Sequence, residues 1–547
     1  MSNCTVLRDM RLAAALWSVV FLAVGCHPHT AEYDPALLAK VSEKVHEIEP
    51  LELAKADPNE VVPEPNEPPA TVELSLEQCR ALALENNLQL KASLISPTIA
   101  AAQLSEQEAK FESAFLASVS QTTREGQGIN QYNQIYGTSN ETLSTGLGVQ
   151  VPLRTGGQVQ FDLADSRISS NAPGNLADPY YSPYASFSFT QPLLRNAGKW
   201  VNTHSIRVAA YENQIVSART KLEIIMVLAS IDRVYWRLYA ARGELEVRKQ
   251  QHDLARAQLE RVQRLVAADQ QPEVEIIRAE AGVAQQLEAI IIAENNLRDR
   301  ERETKRVANK VGLDIQSPTI LIPTTQPDVI RYALDRKRLV ETAMDARMEL
   351  LELQLQILQD ASSIDAARNQ TLPAVAFEYS YNISAAAVTR SDAYDLLFDN
   401  IYNNERIGLQ ATIPIGNHAA KSRLRQAIYQ RRQKLASRAN RESTIKVEVL
   451  NAIDQVEANW QRILAARQNT ILNARLYEAE QRQFEVGKRT STEVLDAQTT
   501  FANAQSSEIV ALAEYQISLV DLAYATGTIL GAARIQWEPI VPPTDAD

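Results

Sequence analysis

From Asn417 to Val486 the chain contains neither glycine nor proline. A helix filling that stretch would be a rod of roughly 100 Å at 1.5 Å per residue. The rod runs into Phe484-Glu-Val-Gly-Lys-Arg-Thr-Ser-Thr-Glu-Val-Leu-Asp496. Gly487 suits the left-handed position that ends a long helix. Thr490-Ser-Thr-Glu493 has the spacing of a capping box, opening a second helix from Ser491 to about Leu530. The stretch reads as a tight turn between two long antiparallel helices. A similar turn, Val266-Ala-Ala-Asp-Gln-Gln-Pro-Glu-Val-Glu275, lies about 220 residues earlier, with Glu273-Val274 set against Glu493-Val494. Two such hairpins predict an internal duplication.

The remaining segments fit two copies of one unit. Ser75-Leu-Glu-Gln78 opens a helix that ends before Asn86-Asn87, and another runs from about Leu88 towards Lys110. Phe111 to Gln191 differs in kind, being rich in Ser, Thr, Tyr, Phe, Asn and Gly. Leu147-Gly-Val-Gln-Val-Pro152 and Gln158-Val-Gln-Phe-Asp-Leu-Ala164 alternate as strands do, and Thr155-Gly-Gly157 between them signals a hairpin. Tyr184-Ala-Ser-Phe-Ser-Phe-Thr-Gln191 alternates aromatic with small polar residues, as a strand between lipid and water would. A helix of about 65 residues fits Val201 to Ala267, its return reaches about Val311, and Gly312 to Asp328 form an irregular crossover. The second copy has helices over roughly 333 to 370 and strands over Pro373–Asn382 and Ile407–Pro414. Ala83–Leu90 matches Ala343–Leu350, and Pro192 matches Pro414. The offset falls from 260 to about 220, so the first copy has about 40 extra residues in its strand region, most simply the Thr155 hairpin. Whether that hairpin joins a barrel or projects from it is open in the sequence.

Ahead of the body, Arg8 and Arg11 precede an apolar run from Leu12 to Val24, too short to span a bilayer and typical of a signal peptide. It ends Leu22-Ala-Val-Gly-Cys26, which resembles the lipobox of bacterial lipoproteins, with Ala23 where leucine is usual. Lipidation of Cys26 is one reading, and ordinary signal cleavage is the other. His27 to Ala70 are rich in proline and acids, an extended linker that at roughly 3 Å per residue reaches on the order of 130 Å. Cys79 alone remains in the body, so no disulfide framework supports the fold, and it reads as packing. A formal charge of -12 argues against nucleic acid as a partner. The six histidines lack metal-ligand spacing, and neither a phosphate loop nor a nucleophile elbow is present, so no cofactor, metal site or catalytic residue is expected.

Ile445, Val449, Ile453, Val456, Trp460 and Ile463 recur three and four apart, an apolar seam on a charged rod. The seam needs further helices, from this chain or from copies of it. A few strands cannot close a membrane barrel alone, because backbone groups in lipid must all be paired; symmetric copies could pool theirs. The fold class expected is mainly α with a small β part, a duplicated unit of strands and long helical hairpin. Its bounds are 1–25 signal peptide, 26–70 lipidated terminus and linker, 71–313 first repeat, 314–332 crossover, 333–531 second repeat and 532–547 tail.

Several motifs carry a resemblance over residues 75 to about 531: Val486-Gly-Lys-Arg-Thr490 running into Glu493-Val-Leu-Asp-Ala497, Val234-Tyr-Trp-Arg-Leu238, Thr190-Gln-Pro-Leu-Leu194 and Ala525-Thr-Gly527. With the duplication, they make the chain resemble the TolC-like outer-membrane efflux proteins, and the lipobox makes it resemble their lipoprotein branch, with palmitate among the acyl chains. The resemblance implies a homotrimer with a shared β-barrel in the lipid of the outer membrane and an α-helical barrel across the periplasm. The tip would meet a periplasmic adaptor and an inner-membrane pump. Glu493 and Asp496 match the family's pore-entrance acids, although Glu493 also fits a helix cap. Arg489 and Glu273 match the family's inter-subunit gate bond. Lys488 and Gly487 belong to the same tip turn; Phe484 stands where the family has a hydrogen-bonding tyrosine, and Ala267 where the first turn has glycine. An exit duct for type I protein secretion would share every one of these features. A non-conducting periplasmic coiled-coil tether explains the rods but not strands at matched positions in both halves.

Overall fold

The computed structural model describes residues 70–129, 135–171, 177–310 and 313–536. The signal peptide, Cys26 and nearly all of the linker lie outside the described residues, as does Gly312. The first repeat comprises β1 (Thr71–Leu74), α1 (Leu76–Asn86), α2 (Leu88–Ala109) and four strands, followed by three helices. The strands are β2 (Ala114–Ile129), β3 (Ile135–Pro152), β4 (Gln158–Ser170) and β5 (Tyr180–Pro192). The helices are the short α3 (Lys199–Asn202), α4 (His204–Ala267) and α5 (Val274–Ala308). After β6 (Ile320–Pro323) come α6 (Arg336–Ala346), α7 (Met348–Asn369), β7 (Ala374–Ser384), α8 (Arg390–Phe398) and β8 (Asn403–Thr412). The long α9 (His418–Glu485), α10 (Ser491–Ala525) and the short α11 (Ile529–Ala532) complete the second repeat.

Six strands make one antiparallel sheet in the order β2-β3-β4-β5-β7-β8, so both repeats contribute to it. Register partners share a face of a sheet. Phe115, Val149, Phe161, Phe187 and Tyr381 form one row across five strands. Val151, Val159, Phe189, Tyr379 and Ile407 form the next. The opposite face carries Ser118, Gly146 and Ala164 in one row, and Gln150, Gln160, Ser188, Ser380 and Arg406 in another. One side is mainly apolar, although its Phe115 row ends at Glu405 of β8, and the other is mainly polar, although Tyr184 continues its Ser118 row. On the polar side Gln160 donates to Asp162 at 3.0 Å and Ser186 donates to the same carboxylate at 3.2 Å.

The long helices form a layer in which α5 packs on α4, α4 on α10 and α10 on α9. Small residues let α4 and α10 approach closely: a Cβ on Gly243 would meet Ile509 Cγ2 at 2.9 Å. The apolar seam of α9 is filled from within the chain. Ile445, Val449, Ile453, Val456 and Ile463 are buried with Ala343, Leu350 and Tyr515, and Trp460 lies against the Tyr515 ring at 5.6 Å. Cys79 is fully buried, and burial followed by the Asp232 carboxylate pushes its thiol up to about 12. The thiol is therefore a packing group.

The crossover is less irregular than its prolines imply. Within it β6 pairs in parallel with β1, Thr71 opposite Ile320 and Leu74 opposite Pro323. Tyr235 on α4 holds the two together, its hydroxyl donating to the Leu74 carbonyl at 3.2 Å and accepting from the Thr325 amide at 2.8 Å. Two elements were not anticipated as such: β2, whose outer half is polar, and α8, which lies between β7 and β8. The Thr155 turn links β3 to β4 inside the six-stranded sheet.

Candidate functional site at the hairpin tips

Both hairpins turn at the same end of the helix layer, and a small apolar core binds the tips together. Val262 of α4, Ala279 of α5, Phe484 of α9 and Val494 of α10 are each buried to 1% exposure or less, with Leu259, Leu265, Ile276 and Tyr477 around them. Phe484 thus fills the joint between the repeats. Just above, Tyr477 stacks on Phe501 with ring centres 6.2 Å apart, and the Gln498 amide donates to the Gln251 carbonyl at 2.8 Å.

The second-repeat turn has the form its sequence predicts. Gly487 has a φ of 72°; its amide donates to the Phe484 carbonyl at 3.0 Å and that of Lys488 to Gln483 at 2.9 Å, the bond pair of a Schellman motif. Glu493 reaches back to accept from the Thr490 amide at 2.8 Å and from Arg489 at 2.6 Å. The Thr490 amide, and then Arg489, hold the Glu493 carboxyl below its usual range. Arg489 also meets Glu480 at 3.0 Å and Gln483 at 3.2 Å. Asp496 is exposed one turn further along, and Lys488 is exposed beside Arg489.

In the first-repeat turn the left-handed position belongs to Asp269, with a φ of 60°. The Asp269 and Gln270 amides donate to Val266 and Leu265 at 2.9 Å each, the same bond pair. Asp269, not the exposed Ala267, is therefore the counterpart of Gly487, which corrects the expected correspondence. The matched Glu-Val pairs are displaced as well, since α5 begins at Val274 and α10 at Ser491. Glu273 is the exposed residue preceding α5 and makes no side-chain cap. Among the described residues it forms no ion pair with Arg489 within one chain.

Two acids act between the hairpins near their tips: exposed Glu485 meets Arg261 of α4 at 3.0 Å, and the buried one is Glu275, to which the sequence motifs do not point. It is only 6% exposed. Its carboxylate accepts from the buried Ser491 amide at 3.2 Å and from Arg278 at 2.6 Å. A first-repeat carboxylate thus caps the opening of the second-repeat return helix, where the helix dipole favours negative charge. Nothing in its spacing marks it out beyond the i,i+3 relation to Arg278.

Residues 339–528, running from α6 through the second long hairpin, match the family described as outer membrane efflux protein. The outer membrane protein TolC of Vibrio cholerae is 22% identical over 353 residues, covering 63% of this chain and 76% of that protein. A membrane protein from Pseudomonas aeruginosa of known structure has a TM-score of 0.61 at 16% identity, over 83% of this chain and 90% of that one. VceC, an outer membrane protein of Vibrio cholerae, has a TM-score of 0.60 at 14% identity, over 83% and 96%. At such identities the solved structures speak for the fold, which is the duplicated sheet-and-hairpin arrangement described above. The family match covers the hairpin that carries Gly487, Arg489 and Glu493. Over residues 339–528 the chain thus carries the outer membrane efflux protein domain, and over a wider span it is similar to TolC-like outer membrane efflux proteins.

Proposed function

We propose that three copies of this chain form an outer-membrane channel that is the exit duct of a tripartite efflux system. It would pass small molecules from an inner-membrane pump and a periplasmic adaptor to the exterior. One observation carries the reading: the helix layer ends on exposed apolar side chains that no other described residue covers. On the outer helix α5, Ile277, Leu287, Ile291 and Ile292 are exposed, and on the other outer helix α9, Val447, Leu464, Leu472 and Leu476 are exposed. Two such edges on one layer match an arc that closes with its copies. The open ends of the sheet ask for the same closure in lipid. Acylation of Cys26, palmitate among the chains, would add a second hold on the membrane.

At the tip, threefold symmetry would repeat Glu493 and Asp496 as two rings of carboxylates favouring cations. The closed mouth would use a bond from Arg489 of one copy to Glu273 of the next. Arg489 would leave Glu480 and Glu493 to make it, so opening returns the guanidinium to partners it already has. Planar-bilayer recording on the purified, reconstituted protein tests this. Wild type should conduct weakly and Arg489→Ala more strongly, with the trimer intact in both. Unchanged conductance in an intact Arg489→Ala trimer rejects the gate, and a purified protein that never conducts rejects the duct.

A further inference from the structure

We infer that all six strands of each copy enter the barrel wall, so that three copies close an eighteen-stranded barrel by pairing β8 of one copy with β2 of the next. The inference rests on the trimeric reading and goes beyond it by fixing the joint and the size of the outlet.

The duplication identifies the surplus strands. Ala114 opens β2 four residues past Lys110, the residue capping α2, as Ala374 opens β7 four past Gln370 at the end of α7. Pro192 ends β5 ahead of one long helix, as Thr412, two residues before Pro414, ends β8 ahead of the other. Thus β2 and β5 answer to β7 and β8, and the surplus is β3 with β4. That pair lies inside the sheet: β3 is bonded to β2, and β4 to β5. A hairpin lying outside the wall would leave β2 paired directly with β5, which is not the observed register. The Thr155 turn is also held at the helix end of the sheet. Its carbonyl accepts from the Gly198 amide at 2.9 Å, and its hydroxyl donates to Gln191 at 2.8 Å.

The surface chemistry crosses the surplus pair unbroken. Leu147 and Leu163 continue the apolar face between Ala117 of β2 and Ala185 of β5. Both are on the side that holds Phe115, Phe161 and Phe187, which are 69%, 51% and 37% exposed. A wall in lipid needs such a continuous band on its outer side. The ends of the sheet then fit each other. Residues along β2 and β8 are exposed on both faces, unlike the four strands between them. With an even number of antiparallel strands, β2 runs away from the helices and β8 towards them, so the joint between copies is antiparallel too. Six strands are too few to close alone. At a spacing of about 4.8 Å and a tilt of about 40°, eighteen strands give a backbone diameter of about 36 Å, against about 24 Å for twelve. The outlet is then wide, and the constriction of the duct belongs to the tips.

Two cysteine experiments on the full-length protein in outer membranes test the inference; Cys79 is buried and does not compete. First, Ile407→Cys or Leu409→Cys is combined with a scan of Phe115→Cys, Ala117→Cys, Val119→Cys and Gln121→Cys, and oxidised. At least one combination should give a covalent trimer. Second, Leu147→Cys and Leu163→Cys should react roughly tenfold or more slowly with a water-soluble maleimide than Ser144→Cys on the opposite face, and readily with a membrane-soluble one. Trimers in which residues 147 and 163 react freely from water put the extra hairpin outside the wall, overturning the inference while the trimer stands. Trimers by mass with no β8–β2 cross-link also overturn it. A protein that is monomeric by mass overturns the trimeric reading itself.

Discussion

The two hairpin tips descend from one unit and have been put to different uses. In the second repeat the turn is closed by Gly487, and its charges, Arg489 and Glu493, pair with each other at the solvent-exposed surface. In the first repeat the corresponding position is Asp269, one residue more separates it from the return helix, and Pro272 precedes the start. Its important acid, Glu275, faces the partner hairpin rather than solvent. One tip is an exposed charged turn and the other a buttress, coupled by the buried core at Phe484 and by the Glu275–Ser491 bond.

The largest expected effect comes from cutting that joint. Phe484→Ala should cost about 3–5 kcal/mol of local stability, since a large buried ring is removed from a small core. Amide exchange should quicken together over residues 259–279 and 477–497. Loosening confined to the second-repeat turn would mean that the tips are independent and the comparison is wrong. Next comes the buttress. Glu275→Ala leaves the buried Ser491 amide without its acceptor and should cost about 1–3 kcal/mol, with Glu275→Gln recovering part of it. Glu273→Ala, at an exposed position, should stay within about 0.5 kcal/mol. Equal losses at the two positions would erase the distinction between them.

The smallest effect is electrostatic. The Glu493 carboxyl is held below its unfolded value of about 4.3, so its cap on α10 is fully present above that value and fades as pH falls through the lower folded one. Amide protection over residues 490–494 should be flat from neutral pH down to about 5 and decline only below it. Glu493→Gln should flatten the acid limb. If the variant declines as wild type does, the cap owes nothing to this carboxylate.

Much of this was legible in the residues. Long stretches without glycine or proline leave a helix few places to stop, and the seam from Ile445 to Ile463 is buried as its spacing predicts. The aromatic alternation of β5 likewise fixed one face of the sheet. Other features depend on partners far along the chain. β2 loses its apolar alternation after Val119, and β3 pairs with it throughout its length. β1 and β6 are four residues each and about 250 apart, a separation that no local pattern spans. At the tips, the repeated Glu-Val pair points to Glu273, whereas hydrogen bonding aligns Asp269 with Gly487 and brings Glu275 into the joint. A short textual match carries no information about where a helix begins.

The exposed ends of the sheet also bear on the moments before assembly. A free strand edge is a template for any chain that drifts against it, and β2 and β8 offer two per copy. Their outer halves carry Arg124, Glu125, Glu405 and Arg406 among amides and hydroxyls, where a plain membrane strand would carry aliphatics. In the proposed trimer, such residues would discourage sticking in water and leave the apolar inner halves to be joined once lipid surrounds them. The strand ends would then act as their own chaperone, delaying union until the copies share a membrane.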